Sequence, residues 1–217
     1  MTHPSLRLTT ALTVTMALAL ALALFIPASP AGAATAAAAK CTLPAGTSSL
    51  PVELAGTTYQ VRVHAPAAGV TAPAPLVLDL HGTDSTGSTQ AAISGFDALS
   101  DTKGFIVANP SAGVPFGAGT FAWNVPGVPL TSGANPPAGS RDEVAFLSAL
   151  ITTLIDSGCA KSGSVAATGY SGGGRMASAL ACARADLISA VAPVGGVRAG
   201  RANPANVSVI EAGSCTP

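Results

Sequence analysis

Charge is scarce in this sequence. Asp, Glu, Lys and Arg make up 9% of its 217 residues, where an ordinary soluble domain carries about 25%. The 10 basic and 10 acidic residues balance, leaving a formal net charge of zero. No basic excess or stripe is present, which excludes the electrostatic footprint of a nucleic-acid binder. Cysteine is limited to Cys41, Cys159, Cys182 and Cys215, and no pair has the C-x₂₋₄-C spacing of a structural zinc site. Neither a metal nor a cofactor is therefore expected. Hydrophobic residues reach 48%, so the chain is not intrinsically disordered despite 24 Gly and 17 Pro. No internal repeat is visible. The length allows one domain, or at most two small ones.

The amino terminus has the layout of an export signal. Arg7 and the terminal amine are positive, residues 8–26 are apolar and uncharged, and Pro27 is followed by small residues. These are the n-region, h-region and cleavage site of a secretory signal peptide, with Ala31-Gly32-Ala33 as the exit. An uncleaved membrane anchor is the alternative, because the apolar run is long for an h-region. The Ala/Thr-rich core and the small-residue exit favour cleavage, a secreted protein and no membrane contact afterwards. The expected layout is signal peptide 1–33, linker 34–50 and a folded domain 51–217. An even cysteine count in an exported chain favours two disulfides.

Strand and helix patterns alternate through the rest. Thr57–His64 alternates Tyr59, Val61 and Val63 with polar neighbours, a half-buried strand. Leu76–Leu80 is an almost continuous apolar run, as in a parallel strand covered on both faces. A helix is expected over Gln90–Thr102 with Ile93, Phe96, Ala98 and Leu99 inward. Gly104–Ala108 reads as a buried strand. Residues 110–140 form a long Gly/Pro-rich connection holding the single Trp, Trp123, and a stretch of that size is usually functional. Asp142 caps a helix to Asp156 with Val144, Phe146, Leu147, Leu150, Ile151 and Leu154 on its apolar side. Ser164–Thr168 is a strand, Gly172–Ala183 a helix, Ile188–Val194 a strand, and Val207–Ile210 starts another. The alternation predicts an α/β fold: a mainly parallel sheet flanked by helices.

One motif carries chemistry. Thr168–Gly174 contains G-x-S-x-G around Ser171. The pattern alone is weak in a Gly-rich chain, but here it follows a predicted strand and opens a predicted helix, as a nucleophile elbow requires. Such a turn projects the Ser171 hydroxyl above the sheet, and the helix amino terminus favours negative charge nearby. A glycine turn that only packs strand on helix is the bland alternative. A dinucleotide or phosphate cradle is disfavoured, since the glycines do not space as G-x-G-x-x-G and no G-x₄-G-K-[ST] is present. In such an arrangement the loop after Leu76–Gly82 gives one oxyanion N–H, from Thr83 or Gly82, and Gly172 gives the other. His81 precedes that loop and reads as a buried, hydrogen-bonded structural residue rather than a base. His64 reads as a solvated or core residue.

The runs PLVLDLHGT, GFIVANP, FAWNVPGVPL, DEVAFLSALI, ATGYSGGGRMASALAC and ISAVAPVGG occur in that order. Together they resemble the secreted polyhydroxybutyrate depolymerase / feruloyl esterase family over about residues 50–200. The resemblance implies an α/β-hydrolase fold and a Ser-His-Asp carboxylesterase acting on polyester or on ester-linked plant-wall phenolics. It implies Ser171 as nucleophile, Thr83 and Gly172 as the oxyanion hole, and Trp123 lining the pocket. It also implies an acid and a His after Ser171, whereas no His follows Ser171 in these 217 residues. The expectation is a truncated or frame-disrupted member lacking the last strands of the sheet. For the disulfides, Cys159 precedes the strand leading up to Ser171 and Cys182 ends the helix leading down from it. Both should lie at the bottom edge of the sheet, which favours Cys159–Cys182 and leaves Cys41–Cys215.

Overall fold

The computed structural model describes residues 40, 41 and 43–197, together with the backbone of two short strands at 202–203 and 206–210. The expected signal peptide lies outside the described residues. No described helix is long and apolar enough to cross a membrane.

Six strands form the central sheet in the order β1-β2-β4-β3-β7-β8. They are β1 (Gly46–Leu54), β2 (Thr57–Ala65), β3 (Ala74–Leu80), β4 (Ile106–Asn109), β7 (Ala160–Tyr170) and β8 (Ala190–Val194). β1 and β2 form an antiparallel hairpin, and β2 pairs antiparallel with β4. β4, β3, β7 and β8 run parallel. A second, two-stranded sheet joins β5 (Val114–Gly117) and β6 (Thr120–Ala122) inside the long 110–140 connection. β9 (Ala202–Asn203) and β10 (Asn206–Ile210) form a separate antiparallel pair. The α/β expectation with a mainly parallel sheet holds.

Side-chain alternation assigns the two faces. On β2, Tyr59 packs edge-on against Phe146 of helix α3 (Glu143–Asp156). Val61 and Val63 share its parity and are buried in the same core. Leu76, Leu78 and Leu80 of β3 join Phe146, Leu147, Leu150, Ile151, Leu154, Met176 and Leu180 there. That face is covered by α3 and by α4 (Gly172–Ala183). The opposite face carries Arg62, His64 and Asp79, and is covered by α1 (Gly87–Ser94) and α2 (Phe96–Lys103).

Several expectations are corrected. The single helix over 90–102 is two, because Gly95 adopts a left-handed conformation at φ 72 and turns the chain between them. That break rotates the apolar residues out of register. Ile93 is 71% exposed and Leu99 44% exposed, while Gln90, Ala91 and Ser100 are buried instead. β1 begins at Gly46, inside the stretch read as linker. The disulfide pairing also differs: Cys159 bonds to Cys41, with Cα atoms 4.6 Å apart, and not to Cys182. α3 packs on β1, so the lead-in to β1 passes the end of that helix. Leu43 and Pro44 there share a hollow with Leu154, Ser157 and Cys159. The bond closes a separation of 118 residues, which by loop-closure entropy alone corresponds to about 5 kcal/mol. Cys182 is also disulfide-bonded, and Cys215 lies outside the described residues.

Candidate active site

β3 is the point where the chain changes direction across the sheet. It continues through α1 and α2 to β4 on one side, and β7 lies on its other side. In open α/β sheets the crevice beyond the carboxyl ends of the strands at such a switch point is the usual ligand site. Thr83 follows β3, Ser171 follows β7, and Gly195-Gly196 follows β8.

Ser171 turns the chain from β7 into α4 with φ 50 and ψ −109. A non-glycine residue in that region carries about 1–3 kcal/mol of strain. The surrounding contacts hold it there. Its N–H donates to Val194 O at 2.7 Å, and its carbonyl accepts from Arg175 N at 3.1 Å. Its side chain does not cap the helix, so the hydroxyl is not spent on the backbone. The flanking glycines are sterically required. A Cβ on Gly173 would lie 2.2 Å from Leu80 O, and one on Gly169 would lie 2.5 Å from Gly173 C. The elbow thus packs backbone against backbone between β3, β7 and α4.

The loop after β3 meets the start of α4. A Cβ built on Gly172 would lie 2.7 Å from Thr83 Oγ1 and 3.3 Å from Thr83 N. Neither Thr83 N–H nor Gly172 N–H donates to a described residue. The 110–140 connection fixes this loop. Asp84 N donates to Phe121 O at 3.0 Å, Phe121 N donates to Ser85 O at 3.0 Å, and Thr120 Oγ1 bonds to the Asp84 carboxylate. Asp84 itself has φ 62. Tyr170 stands beside the elbow, exposed, and a Cβ on Gly82 would lie 3.1 Å from its ring.

His81 is fully buried. Ala112 N–H donates to its Nε2 at 2.9 Å, so the proton sits on Nδ1, which donates to Gly82 O at 2.6 Å. Burial pushes its pKa below the ordinary imidazole value. Both ring nitrogens are committed, which agrees with a structural histidine. Trp123 is 3% exposed, donates from Nε1 to His81 O at 2.7 Å, and has its ring 5.0 Å from the imidazole. Its Cδ1 is 3.7 Å from the position of a Gly172 Cβ, so it packs against the start of α4. His64 lies on the α2 side, bonded to Thr47 Oγ1 at 3.1 Å and to Asp101 Oδ1 at 3.0 Å.

A clamp that the sequence reading missed holds the 110–124 segment. Glu143 is buried in the first turn of α3, and accepts from Gly113 N at 2.7 Å and from Arg141 Nε at 3.0 Å. Burial raises its pKa, while Arg141 opposes the shift. Arg141 stacks on Phe146 at 3.7 Å, and bonds to Ser111 O at 2.7 Å. The only sequence signal was Glu143 after the Asp142 cap. An acid in a first helical turn is ordinarily a surface residue.

No protein-family model and no curated protein matches the sequence. Solved structures do resemble the fold. The chain is similar to sOPH in its native form at 20% identity, covering 71% of this chain and 53% of that one, with a TM-score of 0.51. It is similar to an S-formylglutathione hydrolase from Agrobacterium tumefaciens at 16% identity, covering 68% and 56%, with a TM-score of 0.50. An acetyl xylan esterase from Aspergillus awamori aligns at 24% identity over 61% of this chain and 44% of its own, with a TM-score of 0.48. The aligned part spans about half the length of these proteins. The strand order, the elbow and the likeness to sOPH and to the S-formylglutathione hydrolase define an α/β-hydrolase-type fold.

Proposed function

We propose that this chain is a secreted serine carboxylesterase that works through an acyl-enzyme at Ser171. The strained turn at Ser171, with Thr83 N beside Gly172, is the observation that carries the reading. Ser171 Oγ attacks the ester carbonyl while its proton passes to a base that no described residue supplies, the role added imidazole fills in the test below. The carbonyl oxygen becomes an oxyanion facing the Thr83 and Gly172 N–H groups, with the α4 amino terminus adding positive potential. Collapse expels the alcohol, and water then releases the acid. The motif resemblance supports polyester or feruloyl-polysaccharide substrates. The Cys41–Cys159 disulfide is compatible with an oxidising, extracellular setting.

One observation favours a second reading, a secreted binding protein without turnover. His81 and His64 are both committed to other partners, and without an imidazole partner a serine hydroxyl is a weak nucleophile. Chemical rescue separates the two. Hydrolysis of a p-nitrophenyl ester by the full chain is measured with and without added imidazole, against Ser171→Ala. A Ser171-dependent rate that rises with imidazole is expected. A rate identical in the two proteins at every imidazole concentration would sink the esterase reading.

A further inference from the structure

We propose that Arg175 and the loop 128–133 form a subsite beside Ser171 that takes the carboxylate of an acidic ester. This rests on the esterase reading and names a substrate class for it.

Arginine pairing sets Arg175 apart. Among the described arginines, Arg62 pairs with Asp97, Arg141 with Glu143 and Arg184 with Asp186. Arg175 has no acidic partner among the described residues. It sits in the first turns of α4, where the helix dipole disfavours a cation. Neither pairing nor helix stability explains its placement. An anion arriving from outside would answer both.

The surroundings are built to receive one. Arg175 lines a cleft of about 550 Å³ with Val128, Pro129, Leu130 and Val197. Among the described residues that line it, Arg175 is the one that is charged. Apolar walls lower the local dielectric and strengthen a guanidinium–carboxylate pair, which can be bidentate. The loop is already shaped: Leu130 N donates to Ala134 O at 2.8 Å, Gly133 N to Leu130 O at 2.8 Å, and Val128 N to Val125 O at 3.0 Å. Gly196, next to the lining residue Val197, lies between the Ser171 backbone and the Arg175 side chain. A Cβ there would lie 2.4 Å from Ser171 O and 3.1 Å from Arg175 Cγ. Arg175 follows Ser171 by four residues, a little over one helical turn or about 6 Å along the axis. A short dicarboxylic half-ester, or the acid end of an oligoester, spans that separation.

Binding tests this without needing turnover. In the full chain carrying Ser171→Ala, dissociation constants for monoethyl adipate and diethyl adipate are compared by calorimetry. The half-ester should bind about tenfold more tightly. Arg175→Gln should erase that preference and Arg175→Lys should keep part of it, with circular dichroism confirming that each variant folds. Equal affinity for the two esters, a preference that survives Arg175→Gln, or no binding of either ester would overturn the subsite. The esterase reading fails separately, on the imidazole comparison with Ser171→Ala, so the two failures are distinguishable.

Discussion

Asp79 and Thr83 are four residues apart at the end of one strand, yet they belong to opposite kinds of polar region. Asp79 faces α1 and is wholly satisfied. It accepts from Gln90 Nε2 at 2.8 Å and from Asn109 Nδ2 at 2.9 Å. Asn109 accepts from Arg62 at 2.8 Å, and Arg62 pairs with Asp97. Thr83, beyond the strand end, adjoins Gly172 next to the strained Ser171, and neither the Thr83 nor the Gly172 N–H donates to a described residue. In a chain with 9% charged residues, polar groups are placed sparingly. Those under α1 and α2 tie elements together, whereas those at the elbow are left available. Native structures satisfy nearly all buried polar groups; Ser171 and Thr83, only half-buried, keep theirs beside the proposed nucleophile turn.

The largest effect should come from filling the backbone contact that supports the elbow. Gly173→Ala places a Cβ 2.2 Å from Leu80 O and 2.6 Å from His81 O. Both obstacles are backbone carbonyls that cannot rotate away. A loss of about 3 kcal/mol in urea unfolding is expected, at the upper end for overpacking. Gly163→Ala is the control, because that position has φ +72 but nothing within 4 Å. It should cost about 1 kcal/mol from backbone conformation alone. Similar losses at the two sites would show that the elbow is not close-packed.

Legibility from sequence divides along the same line. β3, β7, α3 and α4 were readable because apolar runs, helical periodicity and the Gly-rich turn are local signals. Ser171, Thr83 and Gly172 follow from those elements, and the structure brings all three together. The satisfied network was not readable. Asp79 sat inside an apolar run and looked like part of it, and its partners come from α1 and β4. β1 was obscured because its outward positions are Thr47, Ser49, Pro51 and Glu53, with Val52 its only buried residue. Cys41–Cys159 depends on where the lead-in to β1 passes, which no local pattern encodes. Contacts between distant segments decided each of these.

Releasing the elbow strain should move stability the other way and by less. Ser171→Gly places a residue without a Cβ at φ 50, ψ −109. It should raise stability by about 1 kcal/mol, the relieved strain less the extra entropy of glycine in the unfolded chain. Ser171→Ala keeps the Cβ and should change stability little. The measurement is the urea midpoint of the three proteins side by side. A Ser171→Gly protein less stable than the parent would mean that the turn is relaxed, and that the hydroxyl is not held there at a cost to the fold.

The smallest effect probes the satisfied side. Burial raises the native pKa of Asp79, against the opposing hydrogen bonds from Ser94, Gln90 and Asn109. The native state therefore holds this proton more tightly than the unfolded chain does. Its contribution to stability is fully present below the unfolded carboxylate value of about 3.9, and is lost as pH rises through the raised native value. Asp101 acts in the opposite sense: its hydrogen bond to His64 lowers its pKa, and its contribution is lost as pH falls. Glu143, raised by burial, adds to the trend of Asp79. Comparing the parent with Asp79→Asn cancels the other two. The amide leaves one donor facing Gln90 or Asn109, so Asp79→Asn should be less stable overall. The gap should nonetheless narrow steadily from about pH 4 upward, because only the parent carries the cost of ionising a buried carboxyl. A gap that widens with pH would mean that the network stabilises the carboxylate, and that hydrogen bonding rather than desolvation governs that end of β3.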